Sequence, residues 1–136
     1  MRIDLAVVCD HAALTIERKP LLVGIFDNLN VPKLPWQYPH MVLVFRLRIE
    51  GGEAPSHDAE VRFIDPDGKP VLPVLKAHVT ASNVDAAASG AVWAVFELNG
   101  VTFKSVGDYR FDLLVDGMFE ESVDFVVRLM PPQPNV

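Results

Sequence analysis

The strongest constraint on the fold is the segment Met41 to Glu50, where Met41, Leu43, Phe45, Leu47 and Ile49 alternate with positions that include Arg46 and Arg48. Successive side chains of an extended strand point to opposite faces, so a period of two places one face in a core and leaves the other largely wet. The pattern returns in Asp58–Asp65, where Ala59, Val61 and Phe63 oppose Asp58, Glu60 and Arg62. It recurs in Tyr109–Val115 and in an inward series Val92, Ala94, Phe96 and Leu98. In Phe119–Leu129, the residues Phe119, Val123, Phe125, Val127 and Leu129 oppose Glu120, Asp124 and Arg128.

Two further segments, Ile3–Cys9 and Leu21–Phe26, are apolar at almost every position. They read as central strands, or as strands covered on the outer side by a loop. Val71–Thr80 adds one more, although Pro73 reduces its first half to an edge or a bulge, because proline cannot donate to a ladder. Asp65-Pro66-Asp67-Gly68 has the residues of a type I turn, and Asp116-Gly117 those of a tight hairpin turn with positive φ at both positions. Helix is confined to a turn at Asp10–Leu14 and to Val84–Ser89, whose alanines form too short a run to stand alone. Regular short strands with few helices predict a sandwich or barrel of about eight strands. Residues 1–130 form one domain on this reading, and the proline-rich tail 131–136 is expected to be disordered. The uncharged positions Ala6, Val8, Leu114 and Val126 are expected on outward faces, where a second copy or a partner strand covers them.

Val106-Gly107-Asp108-Tyr109-Arg110-Phe111, running on to Leu113–Gly117, resembles the late strand of immunoglobulin-like sandwiches. There a Gly-x-Tyr step leads into a strand and the tyrosine hydroxyl returns to backbone at the corner. The paired cysteines of antibody domains are missing, so the resemblance implies the broader class, an immunoglobulin-like antiparallel β-sandwich. Leu22–Leu29, preceded by Cys9-Asp10 and followed by Pro39-His40, resembles a family of small uncharacterised bacterial proteins, a domain of unknown function. That resemblance implies no activity.

The chemistry visible in the residues is sparse. The formal net charge is -6 and lysines and arginines are scattered, so a nucleic-acid backbone would meet no basic stripe. A secretory leader and a membrane-length apolar run are not apparent, which points to the cytoplasm and away from a membrane partner. Cys9, the one cysteine, alternates with Ile3, Leu5 and Val7 and reads as a small core hydrophobe at the end of its strand. The four histidines, His11, His40, His57 and His78, lack metal spacing, and no cofactor is expected. A site assembled in space from Asp10, His11, Asp27 and His40 is the enzymatic alternative, a small hydrolase or metal-dependent enzyme. A ligand pocket between the sheets is a third reading, opposed by the eight phenylalanines available to fill it.

The segment Asn28–His40 stands apart. Its three prolines stiffen it, Pro32-Lys33-Leu34-Pro35 has polyproline-ligand spacing, and Trp36 and Tyr38 are residue types favoured at interfaces. Pro32, Leu34, Pro35, Trp36 and Tyr38 are therefore the candidate interaction residues. The competing reading is a crossover between sheets with Trp36 plugging one end. The expectation overall is a non-enzymatic protein-binding or assembly module, with a protein partner or a homodimer.

Overall fold

A computed structural model describes residues 1–17, 19–81 and 90–131. Among these residues the chain is all β, with nine strands and no helix. They are β1 (Arg2–Leu14), β2 (Pro20–Ile25), β3 (Asn28–Val31), β4 (Trp36–Ile49), β5 (Ser56–Ile64), β6 (Leu75–Thr80), β7 (Gly90–Phe103), β8 (Gly107–Val115) and β9 (Met118–Leu129). One sheet has the order β2-β1-β4-β7 and the other β3-β9-β8-β5-β6. The predicted helix at Val84–Ser89 and the tail beyond Pro131 lie outside the described residues.

The inward faces meet as the alternation predicts. Met41, Leu43, Phe45, Leu47 and Ile49 of β4 pack with Ala59, Val61 and Phe63 of β5 and with Ala94 and Leu98 of β7 in one core. Phe63, Phe103, Tyr109, Phe111 and Phe125 fill its centre with edge-to-face and stacked contacts. Such pairs add to the large apolar area each ring removes from water. Tyr109 Oη donates to the Ser105 carbonyl at 2.7 Å, the return to backbone expected at that corner. Asp116 and Gly117 both have positive φ, 51° and 82°, and join β8 to β9 in a two-residue hairpin. In the Asp65–Gly68 turn, Asp65 Oδ1 accepts from the amides of Asp67 and Lys69.

Several expectations need correction. Asp10–Leu14 is strand, not a turn, because β2 folds back on it and satisfies its backbone through the pairs His11↔Val23, Ala12↔Leu22 and Ala13↔Leu21. The chain is not wholly antiparallel: β3 leaves the first sheet and runs parallel to β9 at the edge of the second. Residues β2 Leu21–Ile25 form an edge strand rather than a central one. A register irregularity between Ile3 and Leu5 reverses the phase of β1, so Ala6 and Val8 point into the main core. A second one, opposite Leu113/Leu114, has the same effect on β9 and turns Phe119 out to solvent beside Leu114. Leu129, at the end of β9, is exposed as well. A bulge inserts one residue, and with a period of two one residue is enough to exchange the faces.

Candidate functional site

The unusual feature of the first sheet is its outer face. Cys9, Val42 and Val44 are inaccessible to solvent yet belong to a cluster separate from the main core. Val7, Ala12, Leu22 and Trp93 pack against them, and among the described residues no further sheet forms a second layer on that face. Cys9 is thus buried as expected, but on the opposite side of the sheet. Its thiol lies 3.3 Å from the His11 carbonyl, and burial pushes its pKa up, away from a reactive thiolate.

This cluster continues into an open apolar groove of about 240 Å³ lined by Ala12, Leu14, Pro20, Leu22, Trp93 and Val95. Beside it Leu14, Ile16 and Val95 are exposed, whereas the exposed Leu21 and Val23 alternate with Leu22 and face the other side of β2. Scattered exposed hydrophobics are ordinary on a protein surface, but an apolar groove with Leu14 and Val95 exposed in its lining is a candidate binding surface. A charged border closes one end of the face. Asp4 accepts from Arg46 Nε at 2.7 Å and from Arg48 Nε at 2.8 Å, and the Arg46 guanidinium lies 5.4 Å from the centre of the Trp93 ring. Hydrogen bonds from the two arginines hold the Asp4 carboxyl at about 2, well below its usual value.

The residues of the enzymatic alternative are partly brought together. His40 Nδ1 donates to the Asp10 carbonyl at 2.8 Å, and the His11 and His40 rings stack with centroids 5.1 Å apart. The Asp10 carboxylate, however, accepts from Tyr38 Oη at 2.8 Å and bonds to neither imidazole. Burial, and then this bond, push the Tyr38 hydroxyl up to about 12. Gly24 makes the arrangement possible, since a Cβ there would stand 2.5 Å from Asp10 Oδ2 at a φ of +71°. Asp27 stands apart, with its carboxylate bound to the Asn28 side chain. Among the described residues no hydroxyl or thiol hydrogen-bonds to either ring, and no group of three or more metal-ligating side chains forms. What the arrangement does physically is tie β1 to the start of β4.

Trp36 and Tyr38 belong to β4, paired with Phe103 and Val101 of β7. Leu34, Trp36 and Tyr38 are half-buried against the main core, and Tyr38 packs on the rings of Phe26 and Phe103. Pro32 and Pro35 are exposed in the crossover between β3 and β4. At the opposite end of the sandwich, His57 is buried and its Nδ1 lies 2.6 Å from Asp116 Oδ2. That bond, with the Asp58 amide on the other oxygen, lowers the Asp116 pKa.

A family profile covers residues 4–128, nearly the whole sandwich, and its description is a family of unknown function, DUF6941. The chain belongs to that family. No curated protein matches the DUF6941 chain. Among solved structures it is similar to the Pseudomonas fluorescens alkylpurine DNA glycosylase AlkC bound to DNA containing an abasic site analogue, at 13% identity with a TM-score of 0.41. The match covers 90% of this chain and 30% of the glycosylase chain. At that level of likeness no function carries over. No helix among the described residues is long and apolar enough to cross a membrane.

The sequence singled out Asn28–His40 and made the outer face of the first sheet harder to see. The signal was present in the two-sided apolarity of Ile3–Cys9 and Leu21–Phe26. Whether a second layer covers such strands is a property of the tertiary arrangement alone.

Proposed function

We propose that this DUF6941 chain is a non-enzymatic protein-binding module of the cytoplasm, a variant of the immunoglobulin-like sandwich, that docks through the outer face of its first sheet. The observation that carries this reading is the apolar surface of the β1–β2 hairpin and β7 that the described residues leave exposed, from Leu14 and Ile16 to Val95. Association that buries this surface releases hydration in proportion to the apolar area removed from water. The net charge of -6 disfavours nucleic acid as the occupant. Within this reading Leu34, Trp36 and Tyr38 act as packing residues, and Pro32 and Pro35 form the exposed part of the crossover.

A photo-crosslinking residue placed at Leu14 or Val95 is expected to capture another polypeptide in cells, whereas one at Asp67, on the distant turn, captures none. Equal yields at all three positions would sink the proposal.

A further inference from the structure

Leu14, Pro20 and Leu22 line one groove together with Val44 and Trp93. In the ladder Val44 stands opposite Val7, and a straight strand would carry Leu14 roughly 23 Å away from it, at about 3.3 Å per residue. The far half of the β1–β2 hairpin therefore turns back over the outer face of its own sheet, as a flap. The bend falls where β1 leaves β4: their ladder ends at Cys9↔Val42, and from His11 onward β1 pairs with β2. Gly24, beside Asp10 at the bend, has a φ of +71°, a conformation that a regular strand does not use. Beneath the flap, Ala12 and Leu22 pack on Cys9, Val42 and Val44.

Side chains fasten the bend to β4. Tyr38 Oη donates to Asp10 Oδ1, His40 Nδ1 donates to the Asp10 carbonyl, and the His11 and His40 rings stack with centroids 5.1 Å apart. We propose that this fastening is a proton-sensitive hinge: protonation of both His11 and His40 opens the flap and uncovers Cys9, Val42 and Val44. Histidine is the side chain whose charge ordinarily changes between about pH 5 and 8. Neutral imidazoles stack without electrostatic penalty, whereas two imidazolium rings set like charges against each other across the contact that holds the flap. The His40 bond to the Asp10 carbonyl is available in either state, because Nδ1 already carries the proton, so the ring contact is what changes. The groups around the pair do not cancel the repulsion. The Asp10 carboxylate is engaged by Tyr38, whose hydroxyl, pushed up to about 12, stays neutral, as does the Cys9 thiol raised by burial. On β2, Val23 stands opposite His11; on β7, Asn99 stands opposite His40 and the exposed Glu97 opposite Val42. Among the described residues no carboxylate hydrogen-bonds to either ring. The hinge is a property of the chain itself, whatever docks on the outer face.

Cys9 reports the state of the flap, since it is fully buried beneath it. The test is the rate at which a pyridyl disulfide labels Cys9 in the full chain, divided by the rate for free cysteine in the same buffer. That ratio is expected to rise about tenfold or more between about pH 7.5 and about pH 5, with the far-ultraviolet circular dichroism unchanged. His11→Gln removes one of the two charges at an exposed position and is expected to abolish the rise. His40→Gln, which keeps a donor toward the Asp10 carbonyl, is expected to do the same. A ratio equal at the two pH values, a rise that persists in His11→Gln and His40→Gln, or a rise accompanied by loss of the β-sheet dichroism each overturns the proposal.

Discussion

Leu43 and Val44 are neighbours on β4, both completely inaccessible to solvent, and they are buried by entirely different means. Leu43 points into the aromatic core, where the second sheet supplies a facing layer with Phe63, Phe111 and Phe125. Val44 points the other way, under the side chains of its own sheet and the edge of an open groove. Zero exposure therefore does not mean equal packing. Contact with close-packed atoms on all sides carries the dispersion energy of a core, whereas a one-sided cluster forfeits part of it.

The largest effect should come from breaking the two-layer side. Leu43→Ala is expected to destabilise the fold by about 2–5 kcal/mol in chemical denaturation, through lost transfer energy and an unfilled cavity. Val44→Ala on the one-layer side should cost roughly 1–2 kcal/mol, because fewer atoms are removed and nearby side chains can settle into the gap. A Val44 cost equal to that of Leu43 would show that the outer face is a second true core. Gly24→Ala sharpens the comparison from the hairpin side. Its positive φ and the clash with Asp10 predict a loss of about 1–2 kcal/mol, together with displacement of the Asp10–Tyr38 bond visible in tyrosine titration.

At the charged border of the outer face, Asp4→Asn should cost about 1 kcal/mol or less at neutral pH. Its pH dependence has a definite sign. The Asp4 pKa falls from 3.8 to about 2 on folding, so its contribution is fully present above pH 3.8 and is lost as pH falls through 2. The stability gap between wild type and variant should therefore close across that window, and a gap that persists at pH 2 would mean the pair contributes through packing. The smallest effect is expected for Val95→Ser, within about 0.5 kcal/mol in stability because the side chain is already exposed. Its consequence should appear as reduced binding of an apolar dye.

Much of the architecture was legible in particular residues. The inward faces of Met41–Ile49, Ala59–Phe63 and Val92–Leu98 are written in their alternation, though Val42 and Val44 on the other face are buried too, and Asp116-Gly117 and Tyr109 carry their corner in their residue types. These signals are local, and the structure agrees with them. The candidate site was legible only as an oddity, because Cys9, Leu22 and Val44 have the composition of core residues and nothing nearby in sequence says which layer covers them. Trp36 and Tyr38, interface-type aromatics flanked by prolines, form the start of β4 and pack half-buried against the core, a placement their residue types alone do not give.

The sequence by itself determined the β architecture of the described residues, where most strands run, and which turns join two of them, since a period of two and a turn's φ requirements are written in neighbouring residues. Only the tertiary structure decided the remainder. It set the parallel docking of β3 on β9, the exchange of faces at two irregularities, the place of β2 at an edge and the uncovered face beside it. Those features depend on which strand lies next to or across from which, and such pairings are made between residues far apart in the chain.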